Sequence, residues 1–244
     1  KVFHFAAQSF PEISFDIPII TLETNIIGTS NLLESIKTSV FNPIIISVSS
    51  SEVYGMPEKE EIPIKESNPI RAANPYSISK VGHDLMSTYY FKAFDMKIVI
   101  TRMFSHEGSR RGKEFALSSF AYQIAKGEEN GIYEIKHGNL DSVRTYNHID
   151  DAIAAYWLCS KTNKFGEIYN IGGKETCTVG DALELMISKS DKPFKKILDK
   201  NRVRPTDITL QIPDSSKFYK EFDWRPIKTL NDICDDLLSY WRRK

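Results

Sequence analysis

Cysteine is scarce. Three thiols (Cys159, Cys177 and Cys234) in 244 residues are too few and too scattered for a disulfide framework or a zinc site. Net charge is absent as well: 32 basic residues cancel 32 acidic ones, so no global field favours nucleic acid or an anionic surface. No apolar run approaches the roughly 20 residues of a membrane span, and the opening KVFHFAAQSF lacks signal-peptide architecture. Together these features predict a soluble cytoplasmic protein without nucleic-acid or membrane partners. The twelve glycines include no Gly-x-Gly-x-x-Gly turn, the loop that brings backbone up to a pyrophosphate at a helix N-terminus. The chain also begins at Lys1, on the edge of an apolar strand-like run, which predicts that an N-terminal piece lies outside this sequence.

What is present is ordinary globular composition, 41% hydrophobic and 26% charged. Apolar bursts alternate with helical patterns, the texture of β-α units on a parallel sheet. VFHFAA (2–7) reads as a buried strand running into a loop. Residues 17–37 follow a helical period that puts Leu22, Ile26, Leu33 and Ile36 on one face. PIIISVSS (43–50) is apolar enough for a strand covered on both sides. A charged, proline-bearing loop follows over 51–75, then a helix from Pro75 or Tyr76 to Phe94 and a strand over 97–104. FALSSFAYQIAKG (115–127) reads as a helix closed by Gly127. Past residue 105 the strands become short and interrupted. The expected division is therefore 1–105 and 106–244, the latter mainly a second lobe, with chain crossings between them. The last segment is an amphipathic helix with Leu230, Ile233, Leu237 and Trp241 on one face.

The chemistry concentrates in YSISK, Tyr76 to Lys80. Four helical positions amount to about 400° of rotation, so the phenol and the ammonium share a face. An adjacent ammonium favours phenolate and brings a tyrosine towards the range of a general base. Alone the pattern is weak, because most such pairs are surface pairs. Its context strengthens it: the preceding strand ends in SSSEVYG (49–55), which puts serine hydroxyls at the carboxyl end of a parallel strand, where open α/β sheets bind ligands.

A strand ending in Ser or Thr, followed by Tyr-x-x-x-Lys on the next helix, resembles the extended short-chain dehydrogenase/reductases that modify nucleotide sugars. HFAAQS (4–9), TNIIGTSNLLES (24–35), YNIGG (169–173) and RPTD (204–207) are similar to further landmarks of that family. Within it, AAQS, SSSEVYG, FSHEGSRRG (104–112) and GNLDSVRTYNHIDDAIAAYW (138–157) look most like the GDP-mannose 4,6-dehydratases. The third stretch departs from the family's pattern at Ser105, where an asparagine is usual, and at Gly108, where a serine is. The fourth has Arg144, Thr145, Tyr146, Asn147 and His148 in place of Arg-Asp-Trp-Gly-His.

The resemblance implies an α/β fold, a Rossmann-type parallel sheet entered at its fourth strand with roughly 60–70 residues missing before it. A smaller α/β lobe would hold the substrate, with the site in the cleft between the two. It implies that Ser50, Glu52, Tyr76 and Lys80 are catalytic. Ala6, Ala7, His106 and Arg111, with Tyr76 and Lys80, would hold NADP (NAD is possible), and Ser51, Ser105, Arg144 and Arg204 would hold a nucleotide sugar. Arg110 and Arg111 resemble a double-arginine loop that reaches a neighbouring subunit, which implies a homo-oligomer, a dimer or a tetramer. No metal is expected, and His137 and His148 have no ligand pattern around them.

The leading function is C4 oxidation of GDP-mannose, water elimination across C5 and C6, and hydride return to C6. Glu52 would remove the C5 proton. A 4-reductase or 4-epimerase of the same family is the first alternative, and a truncated, non-catalytic relative the second.

Overall fold

The computed structural model describes residues 1–203 and 208–244. It divides the chain into two compact units, Lys1–Phe104 with Ile153–Ile171 and Pro213–Trp224, and Ser105–Ala152 with Gly172–Ile212 and Arg225–Lys244.

The first unit is built on a four-stranded parallel sheet in the order Val2–His4, Ile45–Val48, Ile98–Met103, Ile168–Ile171. Ile45 lies opposite Val2 on one side and Ile98 on the other. All six residues of Ile98–Met103 are buried, so this strand is covered on both faces, as its unbroken apolar start requires. Leu33, Ile45, Tyr90, Met96, Ile98 and Ile100 form the apolar core. Because every strand runs the same way, His4, Val48, Met103 and Ile171 all end on one edge of the sheet.

Residues 18–37 are helical, but with a different inward face from the one the apolar period predicts. Pro18–Leu22 and Gly28–Lys37 are α-helical, and Glu23–Ile27 between them is a wider π turn. The buried positions are Thr21, Asn25, Thr29 and Leu33, while Leu22 and Ile26 are half-buried. The polar three are held inward by bonds: Thr21 Oγ1 accepts from Gln8 Nε2 at 3.1 Å, Asn25 Oδ1 accepts from the Gln8 N–H at 2.8 Å, and Thr29 meets His4 at 2.9 Å. The π turn shifts the helical phase that an uninterrupted 3.6-residue reading assumes.

In the second unit, Val143–Thr145 pairs in parallel with Leu210–Gln211 and antiparallel with Thr176–Thr178. Glu134–His137 pairs in parallel with Lys195–Leu198. The helices Ala116–Asn130, Val179–Ile187 and Leu230–Arg242 enclose a core containing Leu117, Phe120, Ile124, Leu183, Met186, Ile233 and Leu237, with Leu230 and Trp241 packed against it. The first of these helices passes through Gly127 and ends at Gly131, whose φ of 76° supplies the left-handed cap. Gly127 is wanted for closeness instead: a Cβ there would lie 2.5 Å from the Ile132 carbonyl oxygen.

Candidate active site

The helix Pro75–Phe94 carries the Tyr-x-x-x-Lys pair, and its start is closely specified. Asn74 is extended and caps the helix, its Oδ1 accepting from the Ser77 N–H at 2.8 Å, while Ser77 Oγ accepts from the Asn74 N–H at 2.9 Å. Pro75 occupies the first turn, where its missing N–H costs nothing. The Tyr76 N–H, otherwise an orphan of that turn, is satisfied by Ser14 Oγ at 3.1 Å.

Most of this helix's inward residues are polar: Ser77, Ser79, Lys80, His83, Asp84 and Ser87 are buried along with Tyr76 and Tyr90. Each finds a partner on neighbouring elements or on its own helix. Lys80 Nζ donates to the Val48 carbonyl at 2.8 Å, Ser79 Oγ accepts from Asn25 Nδ2 at 2.8 Å, and Asp84 pairs with Arg102 at 2.7 Å. Arg102 Nη1 in turn donates to the Tyr54 hydroxyl at 2.9 Å, and that hydroxyl donates to Asn170 Oδ1 at 2.7 Å. Burial pushes the Tyr54 phenol up to about 12, although Arg102 opposes the shift. The phenol therefore stays a donor, and SSSEVYG is tied to YNIGG through it.

Strand Ile45–Val48 ends in Ser49, Ser50 and Ser51, all buried. Ser50 caps the short 3-10 helix Ser51–Tyr54, its Oγ accepting from the Glu52 N–H at 3.2 Å. Glu52 faces the start of the long helix, where its Oε2 accepts from Asn74 Nδ2 at 3.2 Å. Burial lowers the Lys80 ammonium to about 8, with Asp84 acting the other way. One Lys80 N–H goes to Val48, and the other two have no partner among the described residues. A buried ammonium with two spare donors at a strand's carboxyl end fits the vicinal hydroxyls of a ribose.

Ser50, Glu52, Tyr76 and Lys80 thus belong to one end of one unit. In the same unit, Ala6 and Ala7 lie on the loop after Val2–His4, a loop fastened by the Asn25 and Gln8 bonds. Ser105, His106, Arg111 and Arg144 belong to the other unit. There His106 lies on a two-residue strand beside Asn147–His148, and the Ser105 carbonyl accepts from the Asn147 N–H at 2.8 Å.

Arg111 stacks on Phe115 and sits 3.6 Å from the Glu107 carboxylate. Glu107 is buried and is raised to about 7 by desolvation, which Arg111 only partly offsets. Ser109 donates its N–H and its hydroxyl to the Asp236 carboxylate, both at 2.6 Å, fixing the loop between. The Arg144 guanidinium donates to the carbonyls of Val143, at 2.9 Å, and Ile208. Arg204 lies outside the described residues.

Asn74, Ser14, His83, Asp84 and Arg102 are residues that motif reading passes over. Asn-Pro with Ser three residues on is a legible cap signal. Lys80, Asp84 and Ser87 fall on one stripe, with His83 beside it, but a charged stripe on a helix ordinarily reads as the solvent side.

The family model described as GDP-mannose 4,6 dehydratase matches residues 1–237. A GDP-6-deoxy-D-mannose reductase of Pseudomonas aeruginosa is 24% identical over all of this chain and 80% of its own length. A GDP-mannose 4,6 dehydratase of Drosophila melanogaster is 27% identical over 98% of this chain. The chain spans 65% of that protein's length. Among solved structures, the UDP-glucuronic acid 4-epimerase of Bacillus cereus, in complex with UDP-glucuronic acid and NAD, is 26% identical. It superposes with a TM-score of 0.89 over 99% of this chain and 75% of its own. The matched span takes in both units, the capped Tyr-x-x-x-Lys helix and the serine-ended strand, and this chain belongs to the GDP-mannose 4,6 dehydratase family, within the NAD(P)-dependent epimerase and dehydratase enzymes.

Proposed function

We propose that the protein is a nucleotide-sugar 4,6-dehydratase acting on GDP-mannose, with NADP (or NAD) as cofactor. The observation that carries this reading is the Glu52 carboxylate, held by Asn74 at the start of the helix that presents Tyr76. Oxidation at C4 and its reversal need a hydroxyl, a phenol and an ammonium. A carboxylate beside them adds a group able to take a proton from C5.

The cofactor, when bound, supplies the hydride acceptor at C4 and the hydride returned to C6. Tyr76 takes the C4 hydroxyl proton and, because C4 stays a ketone, releases it to solvent, from which C5 regains a proton when C6 is reduced; Ser50 holds the C4 oxygen; Lys80 stabilises the phenolate and would bond the ribose. Once C4 is a ketone, the C5 proton is acidic. Glu52 removes it and then, as the acid, protonates the departing C6 hydroxyl, which leaves as water. Ala6, Ala7, His106 and Arg111 complete the cofactor contacts. Ser51, Ser105, Arg144 and Arg204 hold the nucleotide sugar, the arginines at its diphosphate.

A 4-reductase is the second reading. It is favoured by the Pseudomonas aeruginosa relative and by Ser105, which stands where the dehydratase pattern has an asparagine. Incubating the full-length protein with GDP-mannose and NADP in deuterated water separates the two. A dehydratase releases water and incorporates deuterium at C5.

The assembly is read as a homo-oligomer. Ile78, Leu85 and Tyr89 form an exposed stripe on the long helix, and Ile19, Ile20 and Ile27 are exposed on the helical segment packed beside it. Reduced thiols, two of them buried, support a cytoplasmic setting. Among the described residues no helix is long and apolar enough to cross a membrane.

A further inference from the structure

One buried polar chain is not used by the chemistry above. His83 lies one turn beyond Lys80, 2% exposed, and both ring nitrogens are engaged. Nδ1 lies 2.9 Å from Thr29 Oγ1, and Nε2 lies 2.7 Å from Ser47 Oγ. Ser47 Oγ is also 2.6 Å from Ser87 Oγ, and Thr29 Oγ1 is 2.9 Å from His4 Nε2.

The direction of these bonds follows from counting protons. Thr29 has one hydroxyl proton, which goes to the Asn25 carbonyl at 2.6 Å. Both histidines therefore donate to Thr29 Oγ1, His83 through Nδ1–H and His4 through Nε2–H. A neutral His83 then has a lone pair at Nε2, so Ser47 donates to it and Ser87 donates to Ser47.

The surroundings keep the ring neutral. Burial holds His83 well below the ordinary histidine range, and Lys80 on its own helix and His4 from the neighbouring strand add to that. Asp84, on the same helix, is committed to Arg102. The residues bonded to the ring from the remaining elements, Thr29 and Ser47, are uncharged.

The chain grips the strand at the residue that matters. Ser47 is held by His83 and Ser87, and the next residue, Val48, gives its carbonyl to Lys80. Ser49 and Ser50 follow directly. We propose that His83, as the neutral Nδ1–H tautomer, is a positioning residue: by fixing the long helix on the Ile45–Val48 strand it sets Lys80 and Tyr76 relative to Ser50. This rests on the assignment of Tyr76 and Lys80 as the proton-transfer pair, but its geometric content is independent of the sugar and the reaction.

The test uses the full-length protein with His83→Gln, which can still accept from Ser47 and donate to Thr29, His83→Leu, which can do neither, and Ser47→Ala, which removes only one partner. Two readouts need no turnover: the tautomer and titration of His83 by nitrogen NMR, and the Lys80 pKa from the pH dependence of its chemical labelling. The expected results are an Nδ1–H ring that stays neutral below the ordinary histidine range and a Lys80 titration that moves upward, towards that of an exposed lysine, by at least about one unit in His83→Leu. Ser47→Ala should give a smaller shift and His83→Gln almost none. Turnover in His83→Leu should fall roughly ten- to a hundredfold with KM nearly unchanged, and His83→Gln should restore it. An Nε2–H tautomer would overturn the proposal, as would an unmoved Lys80 titration in folded His83→Leu and Ser47→Ala. If His83→Leu does not fold, Ser47→Ala and the wild-type tautomer decide. Absence of turnover in the wild type would count against the dehydratase reading and leave both spectroscopic results standing.

Discussion

Asn74 and Glu52 are joined by a 3.2 Å hydrogen bond, and the Asn74 side chain that makes it also caps the helix carrying Tyr76. One amide thus serves two purposes: its oxygen ends the backbone of the helix, and its nitrogen orients the carboxylate proposed as the C5 base. Asn74→Asp separates them. The aspartate keeps an acceptor for the Ser77 N–H but sets a like charge beside Glu52. Its stability to urea should stay near wild type while turnover falls at least about tenfold. Asn74→Ala should lose both, with about 1 kcal/mol of stability removed along with the cap. Equal loss of stability in the two variants would contradict the double role.

The buried histidines predict acid sensitivity. Burial depresses His83, and His4 is depressed first by burial and then by Lys80. The unfolded chain protonates both near pH 6.5. Below that pH the unfolded state holds more protons than the folded one, so stability falls as pH falls. Between pH 7 and pH 5 the urea midpoint of wild type should fall relative to that of His83→Gln. A difference between the two that does not vary across the range would show that the His83 ring titrates normally in the folded protein.

Glu107 runs in the opposite sense. Its carboxyl is raised from 4.5 to about 7, so between those values the folded state holds the extra proton, and stability falls as pH rises through the interval. Glu107→Gln removes the ionisation. Relative to wild type, the variant should gain stability at pH 8 and lose that advantage by about pH 4.5. A difference that does not vary with pH would refute this account of the Glu107–Arg111 pair.

Arg102 and Asp84 make an ion pair in which neither side chain is more than 5% exposed. Removing one partner strands a buried charge, so Asp84→Asn should destabilise by about 3–5 kcal/mol. Replacing both with apolar residues should cost less than that single change, as read by urea denaturation. A double replacement costing as much as the sum of the two singles would remove the coupling claimed between them.

How much of this was legible in the sequence depended on whether apolar periodicity or polar bonding set each element. PIIISVSS and the strand over 97–104 announced themselves because both faces of each are covered, and Pro75 announced the helix start. The Tyr-x-x-x-Lys pair and the serines after the strand were legible as a motif, and they lie on the helix and at the strand end read for them. Between residues 18 and 37 the period misled, because bonds to Gln8, His4 and His83 draw Thr21, Asn25 and Thr29 inward and a π turn shifts the phase. Gly127 looked like a helix end, but the stop is set by the backbone angle available at Gly131. His83, Asp84 and Ser87 escaped notice because their partners are 18 to 54 residues away in sequence.

In the proposed reaction Glu52 moves the C5 proton of a 4-keto sugar. The most direct measurement is mass spectrometry of products formed from GDP-mannose in deuterated water with NADP, by full-length wild type and by Glu52→Gln. Wild type is expected to release water and to carry one deuterium at C5 in its product. The variant should still bind the cofactor but form dehydrated product at least about a hundredfold more slowly. Dehydration at an undiminished rate in Glu52→Gln, or a wild type that leaves GDP-mannose intact while reducing a 4-keto sugar, would contradict it.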